Sequence, residues 1–162
     1  MKKIILLNAS PRKNGNTALL LQAAQQGAQE AGAETELINL FDLKFTGCRS
    51  CMACKRVEAQ RCKCYWKDDL SPLLDRIFQA DGLFIGSPIY LSEPTAQFRA
   101  LWERLIFCCL FYDKPLESYF TGKLPLGLIY TMNAPEAYYN QHYKARFQEL
   151  LKRGCGSIAN RN

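Results

Sequence analysis

Histidine is almost missing from this chain of 162 residues: His142 is the single example. No carboxylates paired for general acid–base work and no Ser/His arrangement replace it, so the side chains bring little acid–base machinery of their own. His142 itself falls in a polar, Tyr-rich helix start and is expected to face solvent. No apolar run approaches the roughly 18 residues that a membrane span needs. The apolar stretch near Met1 is too short for a signal peptide and lacks its small-residue cleavage site. These absences predict a cytoplasmic protein with no membrane partner. Walker A and G-x-G-x-x-G motifs are absent too, which disfavours a nucleotide triphosphatase or an ordinary Rossmann dehydrogenase. No internal repeat or low-complexity tract competes with a globular reading.

The chain does have ample core material, 48% hydrophobic residues, and its length fits one domain over residues 1–162. The net charge of +6 is modest. Its positive residues are scattered except around Lys55, Arg56, Arg61, Lys63 and Lys67. A solvated loop accounts for that cluster; a basic rim on an anion site accounts for it as well as nucleic acid would, and no nucleic-acid partner is expected. Eight cysteines in a chain read as cytoplasmic point to metal or redox chemistry before disulfides. Five of them crowd into a loop over residues 45–67.

Periodicity gives the order of elements. Residues 2–8, 34–40, 82–86 and 123–130 read as strands, the first from its continuous apolar run. Residues 17–31 are rich in Ala, Leu, Gln and Glu and stop at Gly32, a residue suited to a left-handed cap. A second helix over 70–80 puts Leu70, Leu73, Leu74 and Ile77 on one stripe, with Pro72 tolerated in its first turn. A third, over 94–107, aligns Phe98, Leu101, Trp102 and Leu105, and a last runs from 135 to 152. Alternating strands and helices imply an open parallel α/β sheet with helices on both faces. Ligands bind such sheets beyond the carboxyl ends of the strands, where strand order reverses. The loops after strands one, three and four are therefore read together.

The first of these, "NASPRKNGNT", runs straight into a helix. A helix N-terminus offers free N–H groups and partial positive charge, which suit a phosphate. Ser10 and Thr17 add hydroxyls, Asn14 and Asn16 amides, Arg12 a charge, and Gly15 close backbone approach. A plain helix N-cap by Asn14 or Asn16 is the rival reading. The loop resembles that of the flavodoxin-like NAD(P)H-dependent FMN reductases, where it holds the FMN phosphate. Asn8-Ala9 replaces the more usual small pair without touching the cradle. A second match, "ADGLFIGSPIYLSEPTAQFRALWER", is similar to the family's third strand, flavin-contacting turn and following helix. The resemblance spans the chain from Met1 to about Pro135. It implies that Ser87, Pro88, Ile89 and Tyr90 lie where family members line the isoalloxazine ring. Pro88 would stiffen the turn, while Ile89 and Tyr90 offer a surface to a flat ring. Thr131 and Asn133, in "YTMNAPE", are placed near the ring edge, although this loop lacks the glycines that many members carry.

The cysteine segment, "GCRSCMACKRVEAQRCKC", spaces its thiols C-x2-C-x2-C-x7-C-x-C. Three at intervals of three suit a cluster. The run resembles the compact motif of iron–sulfur flavoproteins, a branch of this fold with a 4Fe-4S cluster beside FMN. Cys48, Cys51 and Cys54 would be ligands. Counting from Cys54 selects Cys62 as the fourth, and counting back from "KDDL" selects Cys64. Zinc would accept the same thiolates, and related chains keep such cysteines without any metal, so three states stay open. Nearby Lys and Arg favour thiolates in each. Cys108, Cys109 and Cys155 read as small packing residues.

Flavodoxin-like sheets have five strands in the order 2-1-3-4-5, and no fifth is legible after residue 152. The fourth strand is then expected to form an open edge. The resemblance implies an FMN-dependent oxidoreductase taking hydride from NAD(P)H and reducing a quinone, nitro compound, free flavin or metal centre. Homodimers or tetramers are expected. An iron–sulfur electron carrier and a thiol-rich metal-binding or sensor protein without enzyme activity are the alternatives.

Overall fold

Four short runs of apolar and β-branched residues pair in parallel to make the sheet, in a computed structural model that describes residues 1–114 and 117–158, with side chains through 154. Strand β1 (Lys3–Asn8) sits centrally, hydrogen-bonded to β2 (Glu34–Asn39) on one side and to β3 (Gly82–Tyr90) on the other. Strand β5 (Leu126–Thr131) pairs with β3, and a two-residue strand β4 (Glu93–Pro94) folds back antiparallel on the end of β3. The parallel order is therefore β2-β1-β3-β5. It reverses at β1/β3, the expected switch point. Among the described residues no strand pairs with the outer side of β5, so it forms an edge, as the sequence implies.

Helix α1 (Asn16–Glu30) covers one face and buries Thr17, Ala18 and Leu21. It lies so close to β3 that a Cβ on Gly86 would meet Thr17 Cγ2 at 2.8 Å and Leu21 Cδ1 at 2.7 Å. Gly32 ends the helical segment at φ +83, the left-handed position expected of it. The other face carries α2 (Leu70–Ile77), α3 (Ala96–Phe107) and α5 (Lys144–Ile158). The stripe Leu70, Leu73, Leu74 and Ile77 is buried there with Ile5, Leu7, Leu83, Ile85, Phe98 and Leu101. No described helix is long and apolar enough to cross a membrane.

Several boundaries differ from the sequence reading, among them the end of β3, the start of α3 and the last helix. Strand β3 continues to Tyr90 because Ser87 and Pro88 pair with Tyr130 and Thr131, and Ile89 with Pro94. The turn expected at Ser87–Tyr90 falls instead on Leu91 and Ser92, at φ +49 and +71. Helix α3 starts after Thr95, not at Pro94, because Thr95 Oγ1 accepts from the Phe98 N–H at 3.2 Å. The last helix is two: α4 (Glu136–His142) and α5 break at Tyr143, whose hydroxyl meets Ser92 Oγ at 3.1 Å and whose ring stacks on Phe147. His142 is exposed, as expected. The Cys155 side chain lies outside the described residues.

Tyr130 packs its ring against Phe147, centroids 4.5 Å apart, and its buried hydroxyl has no partner among the described residues. Burial pushes that phenol well above its ordinary range. An unsatisfied buried hydroxyl is a net cost, so Tyr130→Phe is expected to stabilise the fold by about 1 kcal/mol. Urea unfolding checks this; a clear loss of stability would show that the hydroxyl is satisfied after all.

Candidate functional site

The loop after β1 is built from beneath by Asn8. Its amide donates to Asn39 Oδ1 at 2.9 Å, and its Oδ1 accepts from the Ser10 N–H at 3.0 Å. Ser10 Oγ then accepts from the Arg12 N–H at 3.1 Å. Ser10 is buried, while Arg12, Asn14 and Asn16 stand in solvent. The N-cap of α1 is Gly15, with no side-chain cap and no acidic residue in the first turn. The capping role considered for Asn14 or Asn16 is therefore not used: the first N–H groups of α1 keep their capacity for an anion. A Cβ at Gly15 would meet Arg12 Cβ at 3.1 Å, so the tight turn also favours glycine there.

Hydrogen bonds join the three loops that the sequence reading grouped. Thr17 Oγ1 lies 2.7 Å from Thr131 Oγ1, which ties the first loop to the end of β5. Thr95 donates from Oγ1 to the Ala9 carbonyl at 2.7 Å, and its N–H donates to Ser87 Oγ at 3.1 Å, which ties the first loop to the end of β3. Pro88 is buried, Ile89 half-buried, and Tyr90 is 48% exposed beside the fully exposed Leu91. Asn133 is exposed and touches none of these residues by hydrogen bond. The sequence reading did not single out Thr95, and it took Asn8 as a replacement that leaves the cradle untouched, whereas Asn8 holds the Ser10 N–H. Thr95 carried a signal, a Thr directly before a helical stripe; Asn8 carried none, being the last residue of a strand.

The cysteine segment leaves β2 at the same carboxyl edge. It is pinned by acidic side chains: Asp69 accepts from the Lys44 N–H at 2.7 Å, Asp68 from Thr46 at 3.4 Å and Glu103 from Cys48 at 3.3 Å. Ser50 and Met52 adopt positive φ, +52 and +58, between the cysteines. Such a conformation costs a non-glycine residue roughly 1–2 kcal/mol, and here it accompanies three thiols turned to one place. Cys48, Cys51, Cys54 and Cys64 line a single cavity with Arg49, Met52, Trp66, Arg104 and Phe107. The cavity is narrow, about 20 Å³, and opens to solvent. Cys62, at φ +57, does not line this cavity.

Electrostatics separate these thiols. Burial pushes Cys54 up to about 11, against a smaller opposing pull from Lys55. The Cys109 hydrogen bond lowers Cys62, with burial opposing and Lys55 assisting. Cys109 is raised, first by Cys108, then by Cys62 and burial. Cys108 and Cys109 are buried in the hydrophobic core, as expected of packing residues. Cys108 also lines the cysteine cavity while donating to the Leu105 carbonyl at 3.6 Å. Among the described residues no three His, Cys, Asp or Glu side chains are grouped to hold one metal ion. A four-iron cube presents its ligands farther apart than a single ion does, so four thiols spread around one cavity suit it by donor type.

Comparison with known proteins agrees with this geometry. The chain matches the NADPH-dependent FMN reductase family over residues 2–145. An iron-sulfur flavoprotein of Methanocaldococcus jannaschii is 38% identical over 102 residues, 63% of this chain and 51% of that protein. One from Methanosarcina thermophila is 30% identical over 64% of this chain and 52% of its own length. The chain thus spans about half the length of these curated relatives. Among solved structures, an NAD(P)H:quinone oxidoreductase from Methanothermobacter marburgensis superposes with a TM-score of 0.70 at 16% identity, over 98% of this chain and 83% of that one. That likeness establishes the flavodoxin-like fold. The family match covers most of the chain, and the chain belongs to the NADPH-dependent FMN reductase family.

Proposed function

We propose that this chain is an FMN-dependent oxidoreductase whose flavin exchanges electrons with a 4Fe-4S cluster on the same chain. The observation that carries the reading is the pairing of two sites: an uncapped helix N-terminus at a sheet switch point, and four thiols around one cavity. FMN supplies hydride acceptance and one-electron transfer, and the cluster one-electron transfer. Ser10, Arg12, Asn14, Asn16 and Thr17 would hold the phosphate and ribityl groups through N–H, hydroxyl and amide donors. Pro88, Ile89 and Tyr90 would support the ring, with Thr131 beside it through Thr17. NAD(P)H is the proposed hydride source, and a quinone, nitro compound, flavin or metal centre the acceptor. Cys48, Cys51, Cys54 and Cys64 are the proposed ligands, because they line one cavity and Cys62 does not.

Helix α3 serves both sites. Thr95 at its start ties two flavin-side loops together, and Arg104, Phe107 and Cys108 toward its end line the cysteine cavity. The nine residues from Thr95 to Arg104 span roughly 14 Å at 1.5 Å per residue. A homodimer or tetramer is part of the proposal, supported by the exposure of Tyr90 and Leu91 at the hairpin tip. The visible spectrum of anaerobically purified protein, with FMN, iron and acid-labile sulfide analysis, tests the whole reading. One FMN and four irons per chain are expected; no flavin after incubation with FMN would sink it.

A further inference from the structure

Arg104 is a guanidinium almost wholly out of water, its side chain 1% exposed, in the wall of the cysteine cavity. Burying a charge costs several kcal/mol unless it is paired and hydrogen-bonded. Most of its donors are satisfied. Nη1 donates to Asp68 Oδ2 at 2.5 Å and to the Thr46 carbonyl at 3.2 Å, and Nη2 to Ser71 Oγ at 2.7 Å. Nε is buried and has no partner among the described residues. Burial opposes the charge on Arg104, yet Asp68 and then Cys64 outweigh it and raise its pKa. Asp68, whose own carboxyl is held low by Arg104 against the effect of burial, does not line the cavity. Arg104 therefore lines the same cavity as Cys48, Cys51, Cys54, Cys64 and Cys108, while its counter-ion Asp68 does not line it.

A guanidinium needed only to join α3 to the start of α2 would be complete with Asp68, Ser71 and Thr46. The orphaned N–H and the placement in the cavity wall are left over. We propose that Arg104 is a potential-setting residue, held by Asp68, Ser71 and Thr46 so that its charge and its Nε–H act on the sulfurs of an anionic thiolate-ligated group in the cysteine cavity. This inference rests on the cluster reading. Adding an electron to such a group makes it more negative, so a nearby fixed cation and a hydrogen bond to sulfur favour the reduced form. Asp68 moderates the effect from the far side of Arg104.

The test is an EPR-monitored redox titration of anaerobically reconstituted wild type, Arg104→Gln, Arg104→Lys and Asp68→Asn, with iron and sulfide content measured on each. Arg104→Gln is expected to lower the midpoint potential by about 59 mV or more, tenfold in a one-electron equilibrium. Arg104→Lys keeps the charge without the Nε–H and should shift less, in the same direction. Asp68→Asn removes the counter-charge and should shift the potential upward. A merely structural Arg104 would lower thermal stability or cluster loading and leave the potential of the loaded fraction alone. Unchanged potentials in loaded variants overturn the inference while sparing the cluster. Iron lost from all three variants, with the wild type loaded, also counts as a structural role and overturns it. A wild type that takes up no iron or sulfide overturns the cluster reading and this inference together.

Discussion

Asn16→Asp is expected to weaken FMN binding at least a hundredfold and leave the fold as stable as before, or slightly more stable. Asn16 is the first residue of α1, exposed and beside an N-cap that supplies no side chain. A carboxylate there faces the proposed position of a dianionic phosphate. One pair of unit charges at 4 Å repels by about 4 kcal/mol at the effective dielectric of a protein surface. Each 1.4 kcal/mol is a factor of about ten in affinity. Without ligand the same carboxylate meets the positive end of the helix dipole and stabilises α1 by about 0.3–1 kcal/mol. The two effects have opposite sign, which separates a lost phosphate contact from general damage. Fluorescence-quenching titrations with FMN and with riboflavin, beside a thermal melt, measure both. Riboflavin has no phosphate and should bind both proteins alike. Equal FMN affinity in both proteins would remove the phosphate from this loop.

Cys64→Ala is expected to cut the iron retained after reconstitution by roughly tenfold or more, whereas Cys62→Ala keeps it. Changing groups that merely support a metal ligand already costs 10–100-fold in affinity as a rule, so losing a ligand outright should do at least as much. The two positions are two residues apart in a loop, and only their surroundings distinguish them. Cys64 shares its cavity with Cys48, Cys51, Cys54 and Arg104; Cys62 lies outside that lining. Losing the Cys62 thiol should therefore cost little iron. The reverse pattern, iron lost with Cys62 and kept with Cys64, would overturn the assignment. Iron and sulfide analysis of both variants under anaerobic conditions decides it.

The reading of the fold from sequence succeeded where periodicity and caps act locally. The apolar run of β1, the stripe of α2 and the left-handed Gly32 depend on neighbours within a few residues, and each is found where expected. It failed where a partner element decides. Nothing in the composition at Ser87 says that β3 continues through Pro88 to Tyr90; the pairing with Thr131, far along the chain, and with Pro94 across the hairpin does so. Tyr143 likewise interrupts the last helix at a contact with Ser92, a residue 51 positions away.

Residue type and spacing were enough to name the materials of both sites: a donor-rich loop before a helix, and a run of thiols too regular for chance packing. They could not say which thiols face one another, because in a loop without periodic backbone the direction of each side chain is set by individual φ values and by what packs behind it. The charge in the cavity wall was equally hidden. Arg104 stands three residues after Leu101 and four before Cys108 on the buried stripe of α3, a place where a cation is tolerated only because Asp68, Ser71 and Thr46 come from another part of the chain to meet it. Local chemistry chose the groups; long-range packing chose their neighbours, since burial and charge pairing exist only after distant segments meet.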